Sequence, residues 1–170
     1  MLTQTYLRHT GLVANMCIAQ KEAKDIVKRI SDSNLALGTR QVGKLSLSHP
    51  LILFDEILKQ VMSCNSVSEL VVKMCRDCTS LGLDIVGYSL IRHITEGKIG
   101  ELDQEANLSL NLKALSVFGA LFYTKYGGSV DMRAILIFLL NKLDSPSECN
   151  EIVVLKELIS KMFGWSTLDV

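Results

Sequence analysis

What this sequence of 170 residues lacks narrows its function quickly. It has no net charge, because 18 Lys and Arg are cancelled by 18 Asp and Glu. Gripping phosphate requires a cationic surplus, so the composition is not that of a strongly basic nucleic-acid binder. A local excess does exist over residues 21–44, where Lys21, Lys24, Lys28, Arg29, Arg40 and Lys44 meet Glu22, Asp25 and Asp32. It reads as a solvated helix face. Long apolar runs are missing as well. The longest, AILIFLL at 134–140, falls far short of the roughly 20 residues of a spanning helix. Residues 1–20 lack a basic start, a long apolar stretch and a small-residue cleavage site, so no secretory signal is expected. The five cysteines, Cys17, Cys64, Cys75, Cys78 and Cys149, are odd in number and scattered. A secreted disulfide framework favours an even count in a shorter chain, so reduced thiols inside a cell are expected.

Signatures of catalysis are equally scarce. Asp55 and Glu56 are adjacent in SHPLILFDEILKQV, and neighbouring helical residues diverge by about 100°, so they cannot act as facing acids. They read as the wet side of a helix, with Asp55 four residues before Lys59 and able to pair with it. Cys75-Arg76-Asp77-Cys78 is a single C-x-x-C. A zinc site needs two further ligands at comparable spacing, and His93 stands alone. A redox pair of the usual kind follows a strand, whereas these surroundings read as helix, where small buried cysteines are common. His9, His49 and His93 are far apart, His49 reading as a helix-start residue and His93 as a satisfied helix residue. Gly127-Gly128 opens no phosphate loop, since the G-x-x-x-x-G-K-[ST] pattern is absent. The few aromatics cluster at Phe118, Phe122, Tyr123 and Tyr126, where helical spacing favours core packing over base stacking. No residue is therefore nominated as catalytic, cofactor-binding or metal-ligating, no cofactor is expected, and the chain reads as a non-enzyme.

What the sequence does contain is apolar periodicity. Apolar residues make up 48% of the chain, which is ample for a core. Both prolines sit where helices can start. Ser48 or His49 can cap the helix that Pro50 opens, and Phe54, Ile57, Leu58, Val61 and Met62 follow on one face. Ser145-Pro146-Ser147-Glu148 fits a capping box. Ile152, Leu155, Ile159, Met162 and Phe163 then trace a face that Gly164 ends in a left-handed cap. Between these, helices are expected over about 2–17, 19–30, 34–45, 67–79, 83–95, 107–126 and from Ser129 or Asp131 to about Leu143. AILIFLL is expected to be a helix buried nearly all round. No strict repeat period is visible. The expectation is a single all-α domain over 1–170, an irregular α-solenoid of about eight helices in stacked antiparallel pairs, with 1–24 an N-terminal helix region.

Four blocks in order, IVKRISDSNLALGTRQVGKLSLSHPLILFDEILKQV, TSLGLDIVGYSLIRHI, LKALSVFGALFYTKY and VVLKELISKMFGW, resemble the THO complex subunit 2 family over residues 25–165. That family is the large scaffold subunit of a nuclear assembly that couples transcription to mRNA processing and export. The resemblance implies a central helical segment of an α-solenoid, a location in the nucleus, and contacts with other THO complex subunits and an associated DEAD-box RNA helicase. The family subunit is many times longer and has a basic C-terminal tail linked to nucleic-acid binding. These residues contain no such tail, so RNA is expected to be reached only indirectly. Three alternatives use the same residues: a HEAT-like adaptor of another pathway, a thiol or metal enzyme at Cys75 and Cys78, and direct RNA binding through 21–44. For a scaffold, apolar side chains should stay exposed, on the helix of 2–17 or the one ending at Phe163, and drive self-association.

Overall fold

The computed structural model describes residues 10–96, 105–144 and 152–164. Eight α-helices and no strand occur among the described residues: α1 (Thr10–Lys28), α2 (Leu35–Ser48), α3 (Pro50–Ser63), α4 (Ser68–Met74), α5 (Ser80–Glu96), α6 (Glu105–Tyr126), α7 (Arg133–Leu143) and α8 (Ile152–Phe163). Short 3-10 turns at Asp32–Asn34, Asn65–Val67 and Cys75–Asp77 join several of them.

Local chemistry explains most boundaries. Pro50 has no N–H to give and pushes the residue before it out of helical geometry. His49 accordingly adopts φ −138° and ψ 58°, and the chain turns from α2 into α3 within that one residue. The expected side-chain cap is not there: His49 makes no capping hydrogen bond, and the Ser48 hydroxyl donates back to the Leu45 carbonyl at 3.3 Å. Thr79 does cap α5, its hydroxyl accepting the Gly82 N–H at 3.2 Å. Asp131 takes the Arg133 N–H at 2.8 Å at the start of α7. Gly164 ends α8 at φ +68°, the left-handed position that glycine adopts without a steric cost.

Other boundaries differ from the expectation. The helices expected over 2–17 and 19–30 meet, over the described residues, in the single helix α1; residues before Thr10 lie outside the described residues, as does the capping box at Ser145. The helix expected over 67–79 stops at Met74, and Cys78 is already extended, with φ −76° and ψ 148°. Periodicity does not see such an interruption, because the apolar stripe continues across the turn.

The helices pack in two layers. α1, α3, α5 and α7 contact one another in that order, and so do α2, α4, α6 and α8. Each helix thus rests on the one two places along, as stacked helix pairs require. One apolar core runs through all eight, from Ala23 and Ile26 through Leu53, Ile57, Val71, Leu90 and Phe122 to Leu139 and Leu158. Each fully buried aliphatic or aromatic side chain contributes about 1.5–3 kcal/mol.

Small residues set how closely the helices approach. α5 and α6 run antiparallel, with Gly87 beneath Tyr123 and Gly119 beneath Leu90. A Cβ at Gly87 would lie 2.9 Å from Tyr123 Oη, and one at Gly119 would lie 2.8 Å from Leu90 Cδ2. On α2, Met74 Cε fills the space above Gly38, and a Cβ at Gly43 would stand 3.2 Å from the Asp77 carbonyl oxygen. The aromatics pack as expected. Phe118, Phe122 and Tyr123 are buried, and Phe122 meets Tyr123 edge-on at 5.3 Å. Burial first, with Asp84 and Asp131 adding to it, pushes the Tyr123 phenol up to about 12.

The Gly87–Tyr123 contact makes a reversible prediction. Gly87→Ala should cost about 1 kcal/mol, the crowding outweighing the better helix propensity of alanine. In a Tyr123→Phe background the nearest ring carbon is 3.9 Å away, so the same substitution should turn stabilising. Urea unfolding of the four chains in this cycle checks the change of sign.

Candidate protein-binding surface

Two surfaces stand out. The first is the outer side of α7. Ile135 and Leu139 are buried, but Leu136 is 36% exposed, Ile137 55%, Leu140 59% and Leu143 40%. At positions i, i+1, i+4 and i+7 these four form one continuous apolar stripe. AILIFLL is therefore not buried nearly all round, as its flanks had implied. Within the described residues α7 ends the odd-numbered layer, packing against α5 and α8. Its core-facing side is used and its opposite side is not.

α8 also keeps apolar side chains at the surface. Val154 and Leu158 are the buried residues there, with Leu155 and Met162 partly buried beside them. Ile152 at 53% and Phe163 at 67% remain exposed, so the expected face 152–155–159–162–163 is split between core and surface. The exposure expected at Phe163 is present, and Leu12 and Ile18 on α1 are exposed as well. A contiguous apolar stripe such as that of α7 marks a protein-protein contact.

The second surface is a cleft of about 450 Å³ between α1 and α2, floored by Ile26 and Leu45 and edged by Glu22, Asp25, Arg29 and Lys44. These four, and the remaining basic residues of 21–44, are exposed. Acids and bases interleave along its rim, so it presents no uniform positive face to a phosphate backbone.

The acids singled out in the sequence belong to neither surface. Asp55 and Glu56 are not simply the wet side of α3. The Asp55 carboxylate accepts hydrogen bonds from Arg92 and, at 2.8 Å, from His93 Nε2, both on α5, and pairs with Lys59 at 2.9 Å. Glu56 accepts from Lys59 at 3.0 Å and from Gln20 of α1 at 3.3 Å. The expected Asp55–Lys59 pair and the satisfied His93 are both present. The cross-helix partners were not legible, since nothing local ties position 55 to positions 92 and 93. Burial raises the Asp55 carboxyl, but Lys59, Arg92 and His93 together outweigh it and hold it below its ordinary value. The hydrogen bond that Lys59 donates to Asp55 leads in raising Lys59 above its own ordinary value. Ser89, one turn before His93, is fully buried and its hydroxyl lacks a hydrogen-bond partner among the described residues.

Cys75 and Cys78 end up beside each other on the 3-10 turn after α4, Cys75 buried and Cys78 partly exposed. Among the described residues no group of three or more His, Cys, Asp or Glu is placed to hold a metal ion, and no helix is long and apolar enough to cross a membrane. His49 sits at the α2–α3 bend; His9 and Cys149 lie outside the described residues.

Comparison with known proteins adds an independent line. Residues 42–116 match a family model described as a transcription- and export-related complex subunit. That stretch contains all of α3, α4 and α5, and with them the Asp55 cluster. Over 162 residues the chain is 31% identical to THO complex subunit 2 of Homo sapiens, covering 95% of this chain and 10% of the relative. To THO complex subunit 2 of Arabidopsis thaliana it is 29% identical over 152 residues, covering 89% and 8%. To that of Saccharomyces cerevisiae it is 27% identical over 151 residues, covering 89% and 9%. The chain thus spans about a tenth of the length of the curated relatives it matches.

The Asp55 cluster predicts an acid-labile joint between α3 and α5. A carboxyl whose folded pKa lies below its unfolded value of about 3.9 stabilises fully above that value. That contribution is lost as pH falls through the folded pKa. Lys59, raised when folded, contributes fully below its unfolded value of about 10.4 and loses that contribution only as pH rises through the folded one. Stability should therefore sit on a plateau at neutral pH, with Asp55→Asn removing part of the acid limb. Asp55→Ala should cost about 2 kcal/mol, by leaving Arg92 and His93 without their acceptor. Asp131→Ala, at the exposed pair with Arg133, should cost less than about 1 kcal/mol. Thermal unfolding from pH 3 to pH 8 measures both.

Proposed function

The chain belongs to the THO complex subunit 2 family, and on that premise we propose that it is a non-catalytic, protein-binding helical scaffold within a THO complex. It acts in transcription-coupled mRNA processing and nuclear mRNA export. Its 1–170 region works as one all-helical unit in the nucleus, holding other THO complex subunits and, through the assembly, a DEAD-box RNA helicase. RNA is reached through those partners rather than by this chain.

The observation that carries this reading is the outer stripe of α7, Leu136, Ile137, Leu140 and Leu143. Burying one such side chain against a partner gains up to about 1.5–3 kcal/mol, so four clustered residues supply a strong anchor. The balanced charge and the mixed rim of the α1–α2 cleft support the indirect relation to RNA. The same stripe favours self-association of the isolated chain, by pairing of two copies through it.

Tagged chain expressed in nuclei should recover THO subunits. Leu136→Asp/Leu140→Asp should reduce that recovery more than tenfold, taking about 3 kcal/mol of lost burial, while circular dichroism stays helical. Repeated failure of the unaltered chain to recover any THO subunit would end the reading. In sedimentation velocity the isolated chain should self-associate with concentration, and the double variant should not. A monodisperse monomer at high concentration contradicts self-association.

A further inference from the structure

The scaffold role makes no use of Cys75 and Cys78, and their placement does not depend on it. α4 stops at Met74, and the chain tightens into the 3-10 turn Cys75–Asp77. The Cys78 N–H closes that turn on the Cys75 carbonyl at 3.1 Å. A 3-10 turn has three residues per revolution, so residues i and i+3 eclipse at a rise of about 6 Å. That lies inside the roughly 4.4–6.8 Å separation of Cα atoms that a disulfide spans. The α-helix expected from periodicity would have offset the two side chains; the turn aligns them.

The surroundings divide the pair into unequal partners. Cys75 is fully buried, and Cys78 is partly exposed. The neighbouring Cys78 sulfur, and then burial, push the Cys75 thiol well up, while the neighbouring Cys75 lowers Cys78 against burial. Ser46 lies beside Cys78, but its hydroxyl proton is committed to the Gly43 carbonyl at 2.7 Å. Asp77 opposes the Cys78 thiolate and is itself paired with Arg76 at 3.3 Å, while Lys125 faces Cys75. Gly82 has no side chain to place against the Cys78 Cβ, which its own Cβ would meet at 3.5 Å. The end of α4 is held in place by Tyr126, whose hydroxyl donates to the Val72 carbonyl at 2.8 Å.

We propose that Cys75 and Cys78 form a redox-responsive dithiol, which closes to an intramolecular disulfide when the protein meets a low-molecular-weight disulfide of the glutathione type. The Cys78 thiolate attacks one sulfur of the small disulfide; its S–S bond breaks, one small thiolate leaves, and a mixed disulfide forms on Cys78. Cys75 passes its proton to the departing thiolate, and its sulfur attacks the Cys78 sulfur. The mixed disulfide breaks, a second small thiolate leaves, and the Cys75–Cys78 bond remains. Two protein sulfurs have lost two electrons, and the small disulfide has been reduced to two thiol equivalents. Cys78 is the attacking residue and Cys75 the resolving one.

The test uses the whole chain and oxidised glutathione. After incubation, free thiols are blocked with N-ethylmaleimide in acid denaturant and mapped by mass spectrometry. The expected result is loss of both thiols on the peptide spanning Cys75 and Cys78, with two hydrogens less mass and no glutathione attached, reversed by dithiothreitol. Cys75→Ser should instead keep glutathione on Cys78, and Cys78→Ser should leave Cys75 unmodified. If a serine variant unfolds, the mapping of the unaltered chain decides. Both thiols still blocked by maleimide after oxidation overturn the proposal. So does a stable glutathione adduct on Cys78 in the unaltered chain, or a bond that forms only between chains.

Discussion

An isolated amphipathic helix cannot keep its apolar stripe from water, and this protein solves that problem by stacking. Each helix lays its stripe on the helix two places along the chain, and the two resulting layers share one core. The rest of the structure follows from that constraint. The turns must be short, so Pro50 bends the chain within a single residue and Thr79 and Asp131 hold helix starts. The layers must also approach closely, so glycines sit where Tyr123, Leu90 and Met74 need room. A stack of this kind satisfies its inner helices fully and its outermost ones on one side only. The unused side of α7 is the consequence, and it is where the scaffold reading places a partner.

Polar groups inside such a stack must find partners across helices. Asp55 does so with Arg92 and His93, and Glu56 with Gln20, so the acids of α3 join α1, α3 and α5. The cluster is partly screened by water, so its contribution is modest, but it is directional where apolar packing is not. It lies within the stretch shared with the family. That makes it a device of architecture: it fixes how the odd-numbered layer is registered, and it leaves the outer faces free for contacts.

Close approach also explains the unusual chemistry of the α4–α5 junction. Gly43 lets α2 come near enough to press on the turn at Cys75–Asp77. The turn winds more tightly than the helix before it, and two thiols that a helix would already place on one side become eclipsed. A packing requirement thereby creates a pair whose members differ in burial.

The sequence by itself determined the fold class and most of the helices, because apolar spacing is a local property and each stripe reports its own helix. It also determined the fate of Phe118, Phe122 and Tyr123, the cap at Gly164 and the Asp55–Lys59 pair, all of which depend on residues within a few positions. The four ordered blocks carried the family. Only the tertiary structure decided which stripes found a partner. AILIFLL looks the same whether one side or both are covered, and one side is. It decided, too, that Asp55 meets residues 37 and 38 positions away, and that the helix after Ser68 breaks at Cys75. Those outcomes rest on which surfaces meet across the two layers, and no window along the chain contains both halves of such a contact.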